Sequence, residues 1–340
     1  MTQRPTTFDQ LLANGKVLVA DGGMGTSLFG LGLANGESPE LLNVIDPDMV
    51  VKAHRGFVEA GSDIILTNTF GGTRRRLALH QLQDRVGELN SAAVAVAREA
   101  AAFGERPVAI AGSIGPTGDL IQPLGELSFD DAVAAFKEQA EALDAAGVDV
   151  LWIETMSSIE ELSAALAATD GIDLPVVTTM SFDTNGCTMM GIAPSRLATW
   201  SHDRARPPAA VGANCGIGPG DVLAAVHDII AASPETVVIA KANAGIPAYT
   251  KAGGLTYPTA AVDMVDYAKL AVGLGARIIG ACCGSTPDHI ASIRKVVDEL
   301  EPGRTVTALA DVEARFGTSA PAKAPTRERR ARRRSANRTA

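Results

Sequence analysis

Three of the four cysteines in this 340-residue chain end short apolar runs in glycine-bounded frames: Cys215 in GANCG, and Cys282 with Cys283 in GACCG. Thiolates are soft ligands that favour zinc, and three of them leave a fourth position open for a substrate. A lone Cys-Cys pair would fit buried thiols or a strained disulfide equally well. A third cysteine in a matching frame points instead to a metal. Cys187, in TNGCTM, ends no such run and receives no role. Four cysteines are also too few to form a disulfide framework in a chain of this size.

Two carboxylates stand in comparable places. Asp21 follows VLVA and Glu154 follows DVLWI, so each meets the end of a buried run. Charge is costly there unless a cation answers it. A substrate amino group would answer both; capping of the following turn is the plainer alternative. Other constellations carry less. GSIGPTG (112–118) is glycine-rich but lacks the Lys-Ser/Thr of a phosphate loop, and neither HExxH nor GxSxG occurs. The five histidines are scattered over expected helices and linkers.

The elements that must position these residues follow from periodicity. Apolar runs at 17–20, 63–67, 108–112, 149–153, 176–180, 209–213, 237–240 and 277–280 are too short for helices and too continuous for one-faced strands. Buried parallel strands fit them. Amphipathic stretches at 47–60, 84–102, 130–146, 158–168, 194–201, 219–232, 259–273 and 287–299 predict helices between them. Pro47, Pro194, Pro219 and Pro287 mark helix starts, Ser128 and Asp130 are candidate caps, and Gly61, Gly147 and Gly275 suit helix ends. Eight strand–helix units predict a single (β/α)8 TIM barrel over residues 16–302, with a lead-in at 1–15 and an extension at 303–340. The fifth unit is the least regular, because RARPPAA interrupts it. Every chemistry-bearing residue named above falls at the strand ends that face one side of such a barrel. Cys282 and Cys283 can share an ion only if strand alternation breaks there, which Gly280 and Gly284 permit.

Bulk properties agree with an ordinary soluble globular chain. Hydrophobic residues make up 46% and charged residues 20%, enough to fill a sizeable core. No apolar run approaches the ~20 residues of a membrane span. The polar start MTQRPTTFDQ lacks a secretory signal, so a cytoplasmic location is expected. Net charge is −9, although the segment from Ala322 onward carries eight basic residues against Glu328 alone. The remaining chain is therefore more acidic than the net value suggests, which argues against nucleic-acid and membrane partners. The Arg-rich segment from about 320 is expected to be a disordered, solvated tail.

These motifs together resemble a known family. ADGGMGTSL (20–28), GSDIILTNTFGGT (61–73), GSIGPTGD (112–119), DVLWIET (149–155), GANCGIGP (212–219) and GARIIGACCGSTPDHI (275–290) are similar to the zinc-dependent homocysteine S-methyltransferases. The resemblance covers about residues 15–300 and is greatest to short bacterial proteins assigned as betaine–homocysteine methyltransferases. It implies that Cys215, Cys282 and Cys283 hold Zn2+, and that the homocysteine amino group meets Asp21 and Glu154. The backbone at Gly22 and Gly23 would line the same substrate, with Thr67, Ser113 and Asn214 in support. The implied reaction moves a methyl group from an onium donor, betaine foremost, to homocysteine, giving methionine. S-methylmethionine, dimethylsulfoniopropionate or a separate methylcorrinoid protein are alternative donors, and a homo-oligomer is compatible. Where the vertebrate betaine enzyme places donor-pocket aromatics, this chain has Glu37 and Gly71, and aromatics are only 4% overall. Outside that class, a zinc-storing or thiol redox-sensing barrel would need neither Asp21 nor Glu154.

Overall fold

The structure is a computed structural model and describes residues 6–249, 255–299 and 307–318. Eight parallel strands form the wall: β1 Leu18–Val19, β2 Ile64–Leu66, β3 Ala109–Ile114, β4 Val150–Met156, β5 Val176–Met180, β6 Ala210–Cys215, β7 Val238–Ala242 and β8 Ile278–Ala281. Each pairs with its neighbour in sequence, and β8 returns to β1 through Leu18–Ile278 and Val19–Ile279. The ring closes between β1 and β2, where Ala20 bridges Ile64 and the Asp63 amide donates to the Val19 carbonyl at 2.7 Å. The expected (β/α)8 TIM barrel is therefore the fold.

The eight barrel helices are α1 Pro47–Glu59, α2 Val86–Ala101, α3 Phe129–Ala146, α4 Ile159–Ala167, α5 Pro194–His202, α6 Pro219–Ala232, α7 Asp263–Leu274 and α8 Pro287–Glu299. Proline opens α1, α5, α6 and α8, where its missing N–H costs nothing. Ser128 caps α3 by accepting from the Asp131 amide at 3.1 Å. Asp130, the other candidate, is an acidic residue in the first turn, favourable to the helix dipole but not the cap. Gly147 and Gly275 end α3 and α7 in left-handed conformations. The irregular fifth unit is pinned by Arg206, whose guanidinium donates to the Ile172 and Leu174 carbonyls at 2.9 Å each.

Alternation divides the core. Leu18, Ile64, Ala109, Val150, Trp152, Val177, Ala210, Ile239 and Ile278 form one buried cluster inside the ring. The opposite faces of the strands pack against the helices in a larger cluster with Phe57, Phe136 and Tyr267 at its centre. Completely burying each such large side chain contributes about 1.5–3 kcal/mol. Two further helices extend the barrel. Thr7–Ala13 sends Phe8, fully buried, into the inner cluster, and the Thr7 amide donates to Asp149 just ahead of β4, so this helix stops the lower end. Leu309–Phe316 buries Val312 against the helical layer. The Arg-rich segment from about 320 lies outside the described residues. Among those described, no helix is long and apolar enough to cross a membrane.

Candidate active site

The inward parity that buries apolar residues low in the barrel continues upward into polar ones. Two positions above Ala111 is Ser113, above Trp152 is Glu154, and above Ile239 is Lys241. Ser113 Oγ donates to Glu154 Oε1 at 2.6 Å, and Asn214 Nδ2 reaches Glu154 Oε2 at 3.5 Å. Asn214 is itself held, accepting from the Thr179 hydroxyl at 2.7 Å and the Thr155 amide at 3.0 Å. Of the supporting residues expected from the sequence, Ser113 and Asn214 thus orient Glu154. Thr67 bonds instead to Thr69 at 2.6 Å and to the Ser113 amide at 3.1 Å.

The three cysteines come together. Their Sγ atoms lie within 4.8 Å of one another, and Cys215 and Cys283 are 4.0 Å apart. Tetrahedral zinc with Zn–S bonds of about 2.3 Å separates its sulfurs by roughly 3.8 Å, so the spacing suits that ion. All four cysteines are free thiols. Cys187 lies apart, in a small turn where Thr184 pairs with it.

Backbone strain brings the sulfurs to one point. By alternation Cys215 should face the helices, as its neighbour Asn214 faces inward. Its φ of 62° inverts the chain and returns the thiol to the mouth. Thr155 does the same after Glu154, with φ 61°, and the β4–β5 register shifts there. A left-handed non-glycine residue costs about 1–3 kcal/mol and persists only where surrounding structure enforces it. At the other side β8 stops at Ala281, so Cys282 and Cys283 are released from strand alternation, and Gly284 turns the chain with φ 80°. Gly23 admits this loop: a Cβ there would stand 2.7 Å from the Cys282 carbonyl.

Three sulfurs this close share protons. S–H donation from Cys215, then from Cys282, pushes Cys283 down to about 4. The hydrogen bond with Cys215 lowers Cys282, but the bond with Cys283, burial and the Cys283 charge together outweigh it and push Cys282 up to about 12. Cys215 is also raised, by its bonds to Cys282 and Cys283 and by burial. The cluster as a whole resists losing all three protons without a cation to balance them.

Lys241 is the functional residue that the sequence reading did not find. Its ammonium meets Asp21 Oδ1 at 2.6 Å and the Asp21 carbonyl at 3.3 Å. The side chains are 2% and 1% exposed. Asp21 Oδ2 accepts from the Leu66 amide at 2.7 Å. A cation for Asp21 is therefore supplied from within: of the two carboxylates that a substrate amino group would answer, this one already has a partner. Burial pushes Asp21 up and Lys241 opposes it; burial pulls Lys241 down, but Asp21 and Glu154 together hold it above its usual value. The 2.6 Å contact favours the charged form of each partner. Glu154 has no such partner in contact. Burial raises it to about 7, against the more distant pull of Lys241. Of Asp21 and Glu154, it is the one still open to a cation.

A cavity of about 270 Å³ opens over these groups, lined by Asp21, Gly22, Gly23, Glu154, Lys241 and all three clustered cysteines. Gly23 lines it without a free amide, since its N–H donates to Ser285 Oγ at 3.0 Å. Phe70, at the rim, is 38% exposed, and Trp152 lies buried beneath Lys241 with its ring centre 5.7 Å from the ammonium.

A barrel mouth that gathers thiols, a free carboxylate and a buried ion pair over one cavity belongs to an enzyme that handles a small polar substrate. The chain belongs to the homocysteine S-methyltransferase family, whose model matches residues 18–297. It is a methyltransferase whose acceptor is homocysteine. Its fold is shared with the metallated form of the Escherichia coli homocysteine methyltransferase MmuM, at 22% identity and a TM-score of 0.71, over 85% of this chain and 99% of that one. A methyltransferase from Methanosarcina mazei matches at 14% identity and a TM-score of 0.57, over 87% of this chain and 99% of that one.

Proposed function

We propose that this enzyme is a zinc-dependent methyltransferase that moves a methyl group from an onium donor to homocysteine, yielding methionine. Cys215, Cys282 and Cys283 would hold the ion, and Asp21, Gly22, Gly23 and Glu154 would line the homocysteine pocket. The observation that carries the reading is the convergence of three sulfurs within 4.8 Å beside a buried carboxylate without a contacting cation. The catalytic unit would be the barrel of residues 16–302, with 1–15 and 303–340 as its flanks.

A bound Zn2+ supplies the Lewis acidity that keeps a thiol ionised at neutral pH. The chain's own residues do the rest. Glu154 takes the homocysteine ammonium and fixes which way the thiol points, because Ser113 and Asn214 fix Glu154. Lys241 cancels the charge of Asp21, which leaves Glu154 rather than Asp21 to meet the ammonium. In the transfer itself a sulfur lone pair forms the new S–CH3 bond while the donor's C–N or C–S bond breaks. That electron pair stays on the leaving atom, which departs neutral and needs no acid. Alignment of sulfur, methyl and leaving atom is the protein's contribution to rate.

The test is direct. Zinc-loaded protein is incubated with homocysteine and, in turn, betaine, S-methylmethionine, dimethylsulfoniopropionate and methylcobalamin, and methionine is quantified. Zinc-dependent methionine from an onium donor is expected. Turnover undiminished after complete removal of zinc would overturn the zinc reading. Turnover with methylcobalamin alone would move the donor to a corrinoid protein.

A further inference from the structure

We infer that the Arg-rich segment beyond residue 318 docks on the barrel it leaves, in an acidic cleft at the mouth beside Cys215. The course of the last described helix, Leu309–Phe316, brings the chain there. Just ahead of it, the Thr307 amide donates to the Gly273 carbonyl, near the end of α7, at 3.1 Å. At its other end Arg315 meets Asp263 and Asp266, in the first turn of α7, at 2.6 Å each. Gly317 then lies against Gly220, in the first turn of α6, so closely that a Cβ on Gly220 would run into the Gly317 carbonyl. Helices of a (β/α)8 barrel begin on the side where the strands end. The helix therefore climbs from the closed end to the mouth, and it hands the chain over next to the loop that follows Cys215.

That loop borders a cleft of about 740 Å³, lined by Cys215, Gly216 and Asn243. Asp119, Glu160, Glu161 and Asp183 also line it, and no Lys, Arg or His does so among the described residues. Two of these charges are already committed. Asp119 pairs with Arg75 at 2.8 Å, and Glu161 accepts from the Thr117 hydroxyl and amide at 2.7 and 2.9 Å. Glu160 and Asp183 are exposed and have no cationic partner among the described residues. Asn243 is an independent sign of a missing donor. It is only 8% exposed, its Nδ2 donates to the Gly216 carbonyl at 2.7 Å, and its Oδ1 has no hydrogen-bond partner. A guanidinium, all donors and no acceptor, suits both the carboxylates and that oxygen.

The chain carries the complement itself. From Ala322 onward it has eight basic residues, seven of them arginine, against Glu328 alone. About a dozen residues separate Gly317 from Arg329, and a coil of that length spans roughly 20 Å, or two helix diameters. Tethering at that range gives an effective concentration on the order of millimolar, which populates contacts too weak to hold free partners. Exposed charges are screened by salt, so the docked segment leaves as ionic strength rises. Its seat beside Cys215 makes it a cover for the mouth, a role that goes beyond methyl transfer and can be tested without it.

Limited trypsin digestion of the full chain, followed by mass spectrometry, reads the contact because trypsin cuts after arginine. At low ionic strength the first cuts at Arg329–Arg334 should be roughly 3- to 10-fold slower in the wild type than in Glu160→Gln/Asp183→Asn, the combined worth of two exposed pairs. The difference should vanish at about 0.5 M salt and should not depend on protein concentration. The control Glu105→Gln/Glu235→Gln removes the same charge from exposed sites in the loops that enter β3 and β7, at the closed end, and should be cut like the wild type. Equal cutting of wild type and cleft variant at low salt, or equal acceleration in the control, would overturn the docking. Protection that grows with protein concentration would assign the segment to a second copy, and protection that appears only with an added DNA oligonucleotide would assign it to nucleic acid; either result overturns the proposal.

Discussion

The Lys241 ammonium and the Asp21 carboxylate, 220 positions apart in the chain, meet at 2.6 Å with both side chains almost wholly out of water. A buried pair of this kind adds little net stability over apolar residues, but breaking it strands a charge. Lys241→Met should therefore destabilise the barrel by about 3–5 kcal/mol. The double variant Asp21→Asn/Lys241→Met should recover most of that loss. Urea unfolding of the four proteins completes the cycle. A single-variant cost below about 1 kcal/mol, as for exposed pairs, would show that the pair is solvated.

If the proposed zinc site is correct, the protein should carry about one ion per chain, the stoichiometry of a three-thiolate site, and Cys215→Ser, Cys282→Ser and Cys283→Ser should each strip it. Cys187→Ser should retain both metal and activity, since Cys187 lies in the turn with Thr184 and outside the cluster. Elemental analysis after gel filtration reads the outcome. Full zinc retention in Cys282→Ser/Cys283→Ser would end the metal assignment.

Glu154→Gln preserves shape and removes a charge-assisted contact, typically ~1.5–3 kcal/mol. Homocysteine binding should weaken by roughly 10- to 150-fold. A thiol without an amino group, 3-mercaptopropionate, should be nearly insensitive to the change. Calorimetric titration of both thiols distinguishes a substrate contact from a structural one, which would weaken both alike.

His54, on α1, is fully buried with neither ring nitrogen hydrogen-bonded, and burial lowers its pKa from 6.5 to about 3. Below pH 6.5 the unfolded chain takes up a proton that the folded chain refuses, so stability falls as pH drops towards 3. The slope approaches about 1.4 kcal/mol per pH unit, or about 2 kcal/mol between pH 7 and pH 5. His54→Leu should flatten that dependence by this amount in urea titrations at the two pH values. An unchanged slope would place the acid sensitivity elsewhere.

Much of this molecule could be read from residue order. All eight strands and eight barrel helices fall within a few residues of the apolar runs and amphipathic stretches, because parallel buried strands and one-faced helices leave strong periodic marks. The three clustered cysteines were legible for the same reason, since each ends a run at the same side. Lys241 was not, because the apolar run of β7 was ended at Ala240, whereas the strand continues to Ala242. The available signal was a lysine two positions above the inward Ile239. Nothing local, however, indicates that its partner is Asp21. The helix Thr7–Ala13 falls in the expected lead-in, because seven residues are too few to show a convincing period. The hairpin of Ala248–Tyr249 and Leu255–Thr256 has strands of only two residues each.

The stopper helix under the barrel has a kinetic consequence. With Phe8 seated in the inner cluster, the lower end of the barrel is stoppered among the described residues, so homocysteine and methionine both pass by the mouth. Entry and departure therefore use the same face of the barrel, and accumulated methionine should slow the entry of homocysteine.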